Sequence, residues 1–205
     1  MISPPPSGFI HRFVPAPGAQ RTLVLLHGTG GNENDLIDLG RTLSPESALL
    51  SPRGKVLENG MSRFFRRLAE GVFDVPDLKA RARELAGFLE EAVDSYGLQG
   101  TALVAVGHSN GANIAGGLLL LRPGLLNGAV LWRPMVPFEP DVLPTLTGTR
   151  VLIVAGRQDR TVPPGVPEHL AGILGDSGAE VALEWTAGGH GLTEEDVEVA
   201  RGWLG

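Results

Sequence analysis

The sequence predicts an α/β fold, a mostly parallel sheet of about seven strands flanked by helices. Two observations carry this. Short strand-like segments recur along the 205 residues, and several are apolar throughout, which suits a sheet covered on both faces. Helical patterns lie between most of them, so consecutive strands are joined by right-handed crossovers.

The strand segments are Phe9–Val14, Thr22–His27, Ala48–Ser51, Thr101–Gly107, Gly128–Trp132, Arg150–Ala155 and Glu180–Thr186. Asp77–Tyr96 is the clearest helix: Leu78, Leu85, Phe88, Leu89 and Val93 share one stripe and Gly97 stops it. Further helices are expected over Asn34–Leu43, Asn110–Leu121, Val166–Gly175 and Thr193–Leu204. Phe9–Val14 is followed by Pro15-Ala16-Pro17-Gly18 instead of a helix, so it is expected to form an antiparallel hairpin with the next strand at one side of the sheet. Three consecutive prolines in Met1–Ser7 predict a loosely held terminus over residues 1–8.

Length and composition fit one domain spanning residues 1–205. The chain has no cysteine, which removes disulfides, thiolate nucleophiles and Cys-ligated zinc together. A formal net charge of −6 without a basic stripe argues against nucleic acid as a partner. The longest apolar runs, Leu23–Leu26 and Leu118–Leu121, fall far short of the roughly 20 residues of a membrane helix. Met1–Gly8 shows no secretory leader, so the cytoplasm is the expected location.

The chemistry centres on Leu103-Val104-Ala105-Val106-Gly107-His108-Ser109-Asn110-Gly111-Ala112, where a buried-strand run enters Gly-x-Ser-x-Gly and then a small-residue helix. That pattern is a nucleophile elbow, in which glycines two residues either side of the serine let strand and helix approach closely. Ser109 is the candidate nucleophile. A serine hydroxyl needs a histidine base and a carboxylate that fixes its tautomer, following it in the order acid, then histidine. Asp159 stands in the turn after the run Val151–Gly156, and His190 lies in the glycine-rich loop after Glu180–Thr186. Each sits just after a strand, where open α/β sheets build their sites. Asp159 also suits a turn cap before Pro163.

An acyl-transfer site further needs donors for an oxyanion. The Asn110 amide, directly after the nucleophile, supplies one. Thr29, between Gly28 and Gly30 in the loop after Leu25-Leu26-His27, is the choice for the second. A phosphate loop is disfavoured there because Gly-x-x-x-x-Gly-Lys is absent and the spacing misses Gly-x-Gly-x-x-Gly. His27 and His108 lack metal-ligand spacing and are expected to pack under the loops, bonding to backbone. No metal and no cofactor is expected.

With these residues the chain resembles the phospholipase/carboxylesterase group of the α/β-hydrolase superfamily. The likeness rests on His27-Gly28-Thr29-Gly30-Gly31-Asn32-Glu33-Asn34-Asp35-Leu36, Gly107-His108-Ser109-Asn110-Gly111-Ala112-Asn113, Gly156-Arg157-Gln158-Asp159 and Arg133-Pro134-Met135-Val136-Pro137. It is nearest to a bacterial branch of predicted carboxylesterases, some associated with aromatic or hydroquinone degradation. The resemblance implies an α/β-hydrolase fold without a large cap domain, and carboxylic ester hydrolysis through an acyl-enzyme. It assigns Ser109, Asp159 and His190 to the triad and Thr29 and Asn110 to the oxyanion hole. His108 and Asn110 depart from the Gly-Phe-Ser-Gln-Gly elbow of the acyl-protein thioesterase branch, which argues against depalmitoylation and lysophospholipid cleavage.

The largest connection, Pro52–Pro76, is too short for a full helical lid and predicts an accessible site for modest acyl groups. Within it Met61, Phe64 and Phe65 offer apolar surface, and Arg63, Arg66 and Arg67 form a basic cluster. The segment reads as a solvated helical turn with its aromatics in the core; the sharper alternative is a pocket border that attracts an anionic substrate. Met135, Val136 and Phe138 could line the pocket or pack on the core. The expected partner is a small-molecule ester, and a homodimer would suit a capless hydrolase. A thioesterase or acyltransferase with the same triad is the rival reading, followed by a non-hydrolytic receptor on this fold.

Overall fold

A computed structural model describes Pro6 and residues 8–205. The expected loose terminus falls mainly on Met1–Pro5 and Ser7, which lie outside the described residues.

A seven-stranded sheet has the order β1-β3-β2-β8-β9-β10-β11. Its strands are β1 (His11–Val14), β2 (Arg21–Leu26), β3 (Ala48–Pro52), β8 (Ala102–His108), β9 (Gly128–Trp132), β10 (Arg150–Gly156) and β11 (Glu180–Thr186). All neighbours are parallel except β1 and β3. The predicted strands are therefore all present, but β1 does not pair with β2. It pairs with β3 through His11↔Pro52 to Val14↔Leu49. β2 has both edges occupied by parallel partners and residues 22–26 wholly buried. The half-exposed β1 takes the outer edge, the position that tolerates one solvated side.

Period-two alternation divides the sheet residues between two cores. Val24, Leu26, Ala105, Leu131 and Ile153 face α2 (Val75–Tyr96), α3 (Asn110–Leu121) and α4 (Val166–Asp176). Leu23, Leu25, Val106, Val130 and Leu152 face α1 (Ile37–Leu43) and α5 (Glu194–Leu204). α2 starts where the Asp74 carboxylate accepts the Asp77 amide at 3.1 Å and stops at Gly97, whose φ of 66° is left-handed. α5 opens with a capping box between Thr193 and Asp196. α3, lined by Gly111, Ala112, Ala115, Gly116 and Gly117, is buried all round and lies directly over β8. Among the described residues no helix is long and apolar enough to cross a membrane.

The segment between Pro52 and Pro76 is not a helical turn. It holds two hairpins, β4 (Val56–Glu58) with β5 (Met61–Arg63), and β6 (Arg67–Ala69) with β7 (Val72–Phe73). Asn59 and Gly60, both at positive φ, make the two-residue turn of the first, the arrangement that matches strand twist. Phe64 and Phe65 between the hairpins are buried in the core, as the aromatic pattern predicted.

Candidate active site

β8 ends at His108 and α3 begins at Asn110, so Ser109 makes the whole turn. Its φ of 51° and ψ of −110° are strained for a residue with a Cβ. Its amide donates to the Trp132 carbonyl at 2.9 Å, which pins the turn to β9. The flanking glycines are required by contact. A Cβ on Gly111 would stand 1.9 Å from the Leu26 carbonyl oxygen, and one on Gly107 would stand 2.6 Å from the backbone of Gly111.

The three candidate triad residues meet at the carboxyl ends of the strands. His190, in the loop after β11, has Nε2 2.9 Å from Ser109 Oγ and Nδ1 2.8 Å from Asp159 Oδ2. Asp159, in the turn after β10, is almost fully buried, and its Oδ1 accepts the amides of Thr161 at 2.7 Å and Val162 at 3.2 Å. One Asp159 oxygen thus caps the turn and the other meets His190. Burial pushes the Asp159 carboxyl up, but the hydrogen bonds from His190 and the two amides outweigh it and hold it below the usual carboxylate range. A carboxylate there favours the tautomer with the proton on Nδ1, in which Nε2 is a hydrogen-bond acceptor facing the Ser109 hydroxyl.

The loop after β2, which carries the candidate donor Thr29, is supported by the first hairpin. Gly30 donates to the Ser62 carbonyl at 2.9 Å and Gly31 to the Gly28 carbonyl at 3.1 Å. Among the described residues the Thr29 amide is left without an intramolecular acceptor, and the Asn110 amide opens α3, where helix N–H groups are unpaired. Arg63 Nη1 donates to Thr29 Oγ1 at 2.6 Å and its Nε to the Phe65 carbonyl at 3.2 Å. His27 bonds through Nδ1 to the Gly28 carbonyl at 2.7 Å and accepts the Gly54 amide at Nε2, 2.9 Å. Burial lowers its pKa, consistent with a neutral ring wedged under the loop. His108 likewise packs beneath the site, its Nε2 bonding the His190 carbonyl at 2.8 Å. Both histidines thus bond to backbone, as expected.

Two supporting residues were not singled out from sequence. Arg133, directly after β9 at φ 55°, is completely buried and donates through Nε to the Gly189 carbonyl at 2.6 Å. Its Nη2 pairs at 2.8 Å with Asp196 of α5, equally buried. Asp196 also accepts Thr186 Oγ1 at 2.7 Å, the Thr193 amide at 2.8 Å and Thr193 Oγ1 at 2.9 Å. The pair therefore ties the His190 loop to β9, β11 and α5. An arginine directly behind a wholly apolar strand, and an acid three residues after a capping threonine, were the signals that could have found them.

A cavity of about 300 Å³ opens over Ser109 and His190. Arg63, Arg67, Gly71, Asn113 and Met135 line it. Arg66 does not, being a surface residue paired with Asp74 and Asp77. Of the three residues after β9 left open between pocket and core, Met135 lines the cavity, whereas Phe138 belongs to the core and Val136 packs against it. Among the described residues no group of three His, Asp or Glu side chains is placed to hold a metal ion.

No protein-family model matches the chain. It is 49% identical over 185 residues to the Bacillus subtilis protein named "Putative hydrolase MhqD", covering 90% of this chain and 92% of that one. The Bacillus cereus carboxylesterase superposes with a TM-score of 0.92 at 46% identity, covering 95% of this chain and 92% of that one. A carboxylesterase from Mesorhizobium loti gives a TM-score of 0.86 at 34% identity, covering 91% and 88%. Sheet order, elbow and these likenesses are those of an α/β-hydrolase. Within that class the chain belongs to the phospholipase/carboxylesterase group.

Proposed function

We propose that this hydrolase cleaves carboxylic esters of small to medium acyl groups through an acyl-enzyme on Ser109. The observation that carries the reading is the continuous chain from Ser109 Oγ through His190 to the buried Asp159 carboxylate, with links of 2.9 and 2.8 Å. His190 Nε2 takes the hydroxyl proton as Oγ bonds to the ester carbonyl carbon, and Asp159 stabilises the resulting imidazolium. The tetrahedral oxyanion lies against the amides of Thr29 and Asn110. His190 then returns the proton to the departing alkoxide, and the same base activates water to release the acid.

Thioesters present the same transition-state demands, so thioester or acyl-transfer chemistry belongs to the same machinery and is separated from it only by substrate comparison. The open cavity favours short acyl groups, and the proposal places the enzyme in the cytoplasm, acting on a small molecule.

Turnover of p-nitrophenyl acetate and butyrate tests the reading. Expected are hydrolysis of both and, under pre-steady-state conditions, a burst of about one nitrophenol per active site as the acyl-enzyme fills. A folded protein that turned over neither oxygen esters nor the matching thioesters would overturn it in favour of a ligand receptor.

A further inference from the structure

We propose that the ester this site takes carries a carboxylate, held by Arg63 and Arg67 on the cavity wall beside the Thr29 loop. The inference rests on the esterase reading above and names the substrate class of that same site.

The wall sets two guanidinium side chains, Arg63 and Arg67, beside two amide side chains, Asn110 and Asn113. Asn110 Oδ1 accepts the Phe64 amide at 2.7 Å and Asn113 Oδ1 accepts the Met135 amide at 2.7 Å, which fixes the orientation of both side-chain amides on the wall. Arg63 is 3% exposed, and two of its nitrogens are fixed by Phe65 and Thr29. Arg63 also lines the cavity.

The charges are unbalanced in the same sense. Arg63 and Arg67 share one carboxylate, Glu58, which binds Arg67 Nη2 at 2.6 Å and Nε at 2.8 Å and stands 3.3 Å from Arg63 Nε. The charge of Arg133 is already matched by Asp196. Glu70, the acid among the residues lining the cavity, is exposed, and solvent weakens its pull on the arginines. Burial works against the Arg63 charge, with Glu58 opposing that effect. A substrate carboxylate would supply the missing anion, and a guanidinium suits it geometrically.

The experiment compares kcat/KM for charged and neutral members of two matched pairs. Mono-p-nitrophenyl adipate against p-nitrophenyl hexanoate places the charge on the acyl side. Para-acetoxybenzoate against para-acetoxybenzamide places it on the leaving group. The charged member of one pair is expected to be preferred by about tenfold or more, the scale of one charge-assisted hydrogen bond. Arg63→Met should bring that ratio to near unity. Glu58→Gln, which removes the competing carboxylate from the side of the first hairpin, should raise it.

Neutral esters turned over as well as or better than charged ones in both pairs would overturn the inference while leaving the esterase reading intact. Should Arg63→Met not fold, the Glu58→Gln ratio decides: an increase supports the carboxylate site, and an unchanged or lower ratio overturns it. Failure of every ester together with absence of fluorophosphonate labelling at Ser109 would overturn both readings.

Discussion

Ser109→Ala is expected to lower kcat/KM for p-nitrophenyl butyrate by about 10⁴-fold or more, the scale seen when a triad nucleophile is removed and only binding and oxyanion donors remain. The fold should be unaffected, because the tie that holds the turn, the Ser109 amide to the Trp132 carbonyl, is a backbone contact. Alanine retains a Cβ and therefore the strain of a φ at 51°. Ser109→Gly removes that strain, so it should be equally inactive yet more stable, by on the order of 1 kcal/mol. Steady-state kinetics and thermal melts of the two variants check both halves. An alanine variant with more than a few per cent of wild-type activity would mean that another group attacks the ester.

The largest effect on stability is expected from Arg133→Met, a loss of about 3–5 kcal/mol, because it leaves the Asp196 carboxylate buried without its counter-charge. Neither side chain of the pair has measurable exposure, so water cannot replace the lost partner. The same substitution releases the Gly189 carbonyl beside His190, so activity should fall in the molecules that remain folded. Replacing Asp196 by leucine in the Arg133→Met background removes the orphaned charge and should recover part of the loss.

The pair also gives stability a pH dependence of known sign. Burial pushes the Asp196 carboxyl up, but hydrogen bonds from Thr186, Thr193 and Arg133 outweigh it and hold it below the usual range. Its pKa is thus lower folded than unfolded, so the unfolded chain binds the proton first on acidification. The stabilisation is complete above the ordinary carboxylate range of about 4 and is lost as pH falls through the depressed value. Asp159 acts in the same direction. His27 and His108, held neutral mainly by burial, begin the loss earlier, below about pH 6.5. Thermal midpoints measured from pH 7 downward should decline in two stages, and Asp196→Asn should flatten the lower one. A midpoint that rose on acidification would contradict the account.

Most strands of the sheet were legible in sequence because they are short, largely apolar runs set between helical patterns, and the observed boundaries lie within two residues of the expected ones. The candidate site residues were picked out for a different reason: an elbow, a post-strand acid and a glycine-flanked histidine are local patterns with a required chain order. The pairing of β1 was not. A proline-rich link predicts a tight reversal, but which edge the strand reaches depends on β2 having parallel partners on both sides, a property of the assembled sheet. The hairpin around Asn59-Gly60 was missed because its strands are only three residues long, too short for periodicity to register. The role of Arg133 was hidden because its partner Asp196 lies 63 residues away and meets it only through the packing of α5.

The most direct test of the central claim is the site of covalent attachment. Wild-type protein treated with a fluorophosphonate, digested and analysed by mass spectrometry should carry one adduct, on the peptide containing Gly107-His108-Ser109-Asn110-Gly111, with none in Ser109→Ala. An adduct on any other residue, or labelling that survived in the alanine variant, would contradict the assignment of Ser109 as the nucleophile.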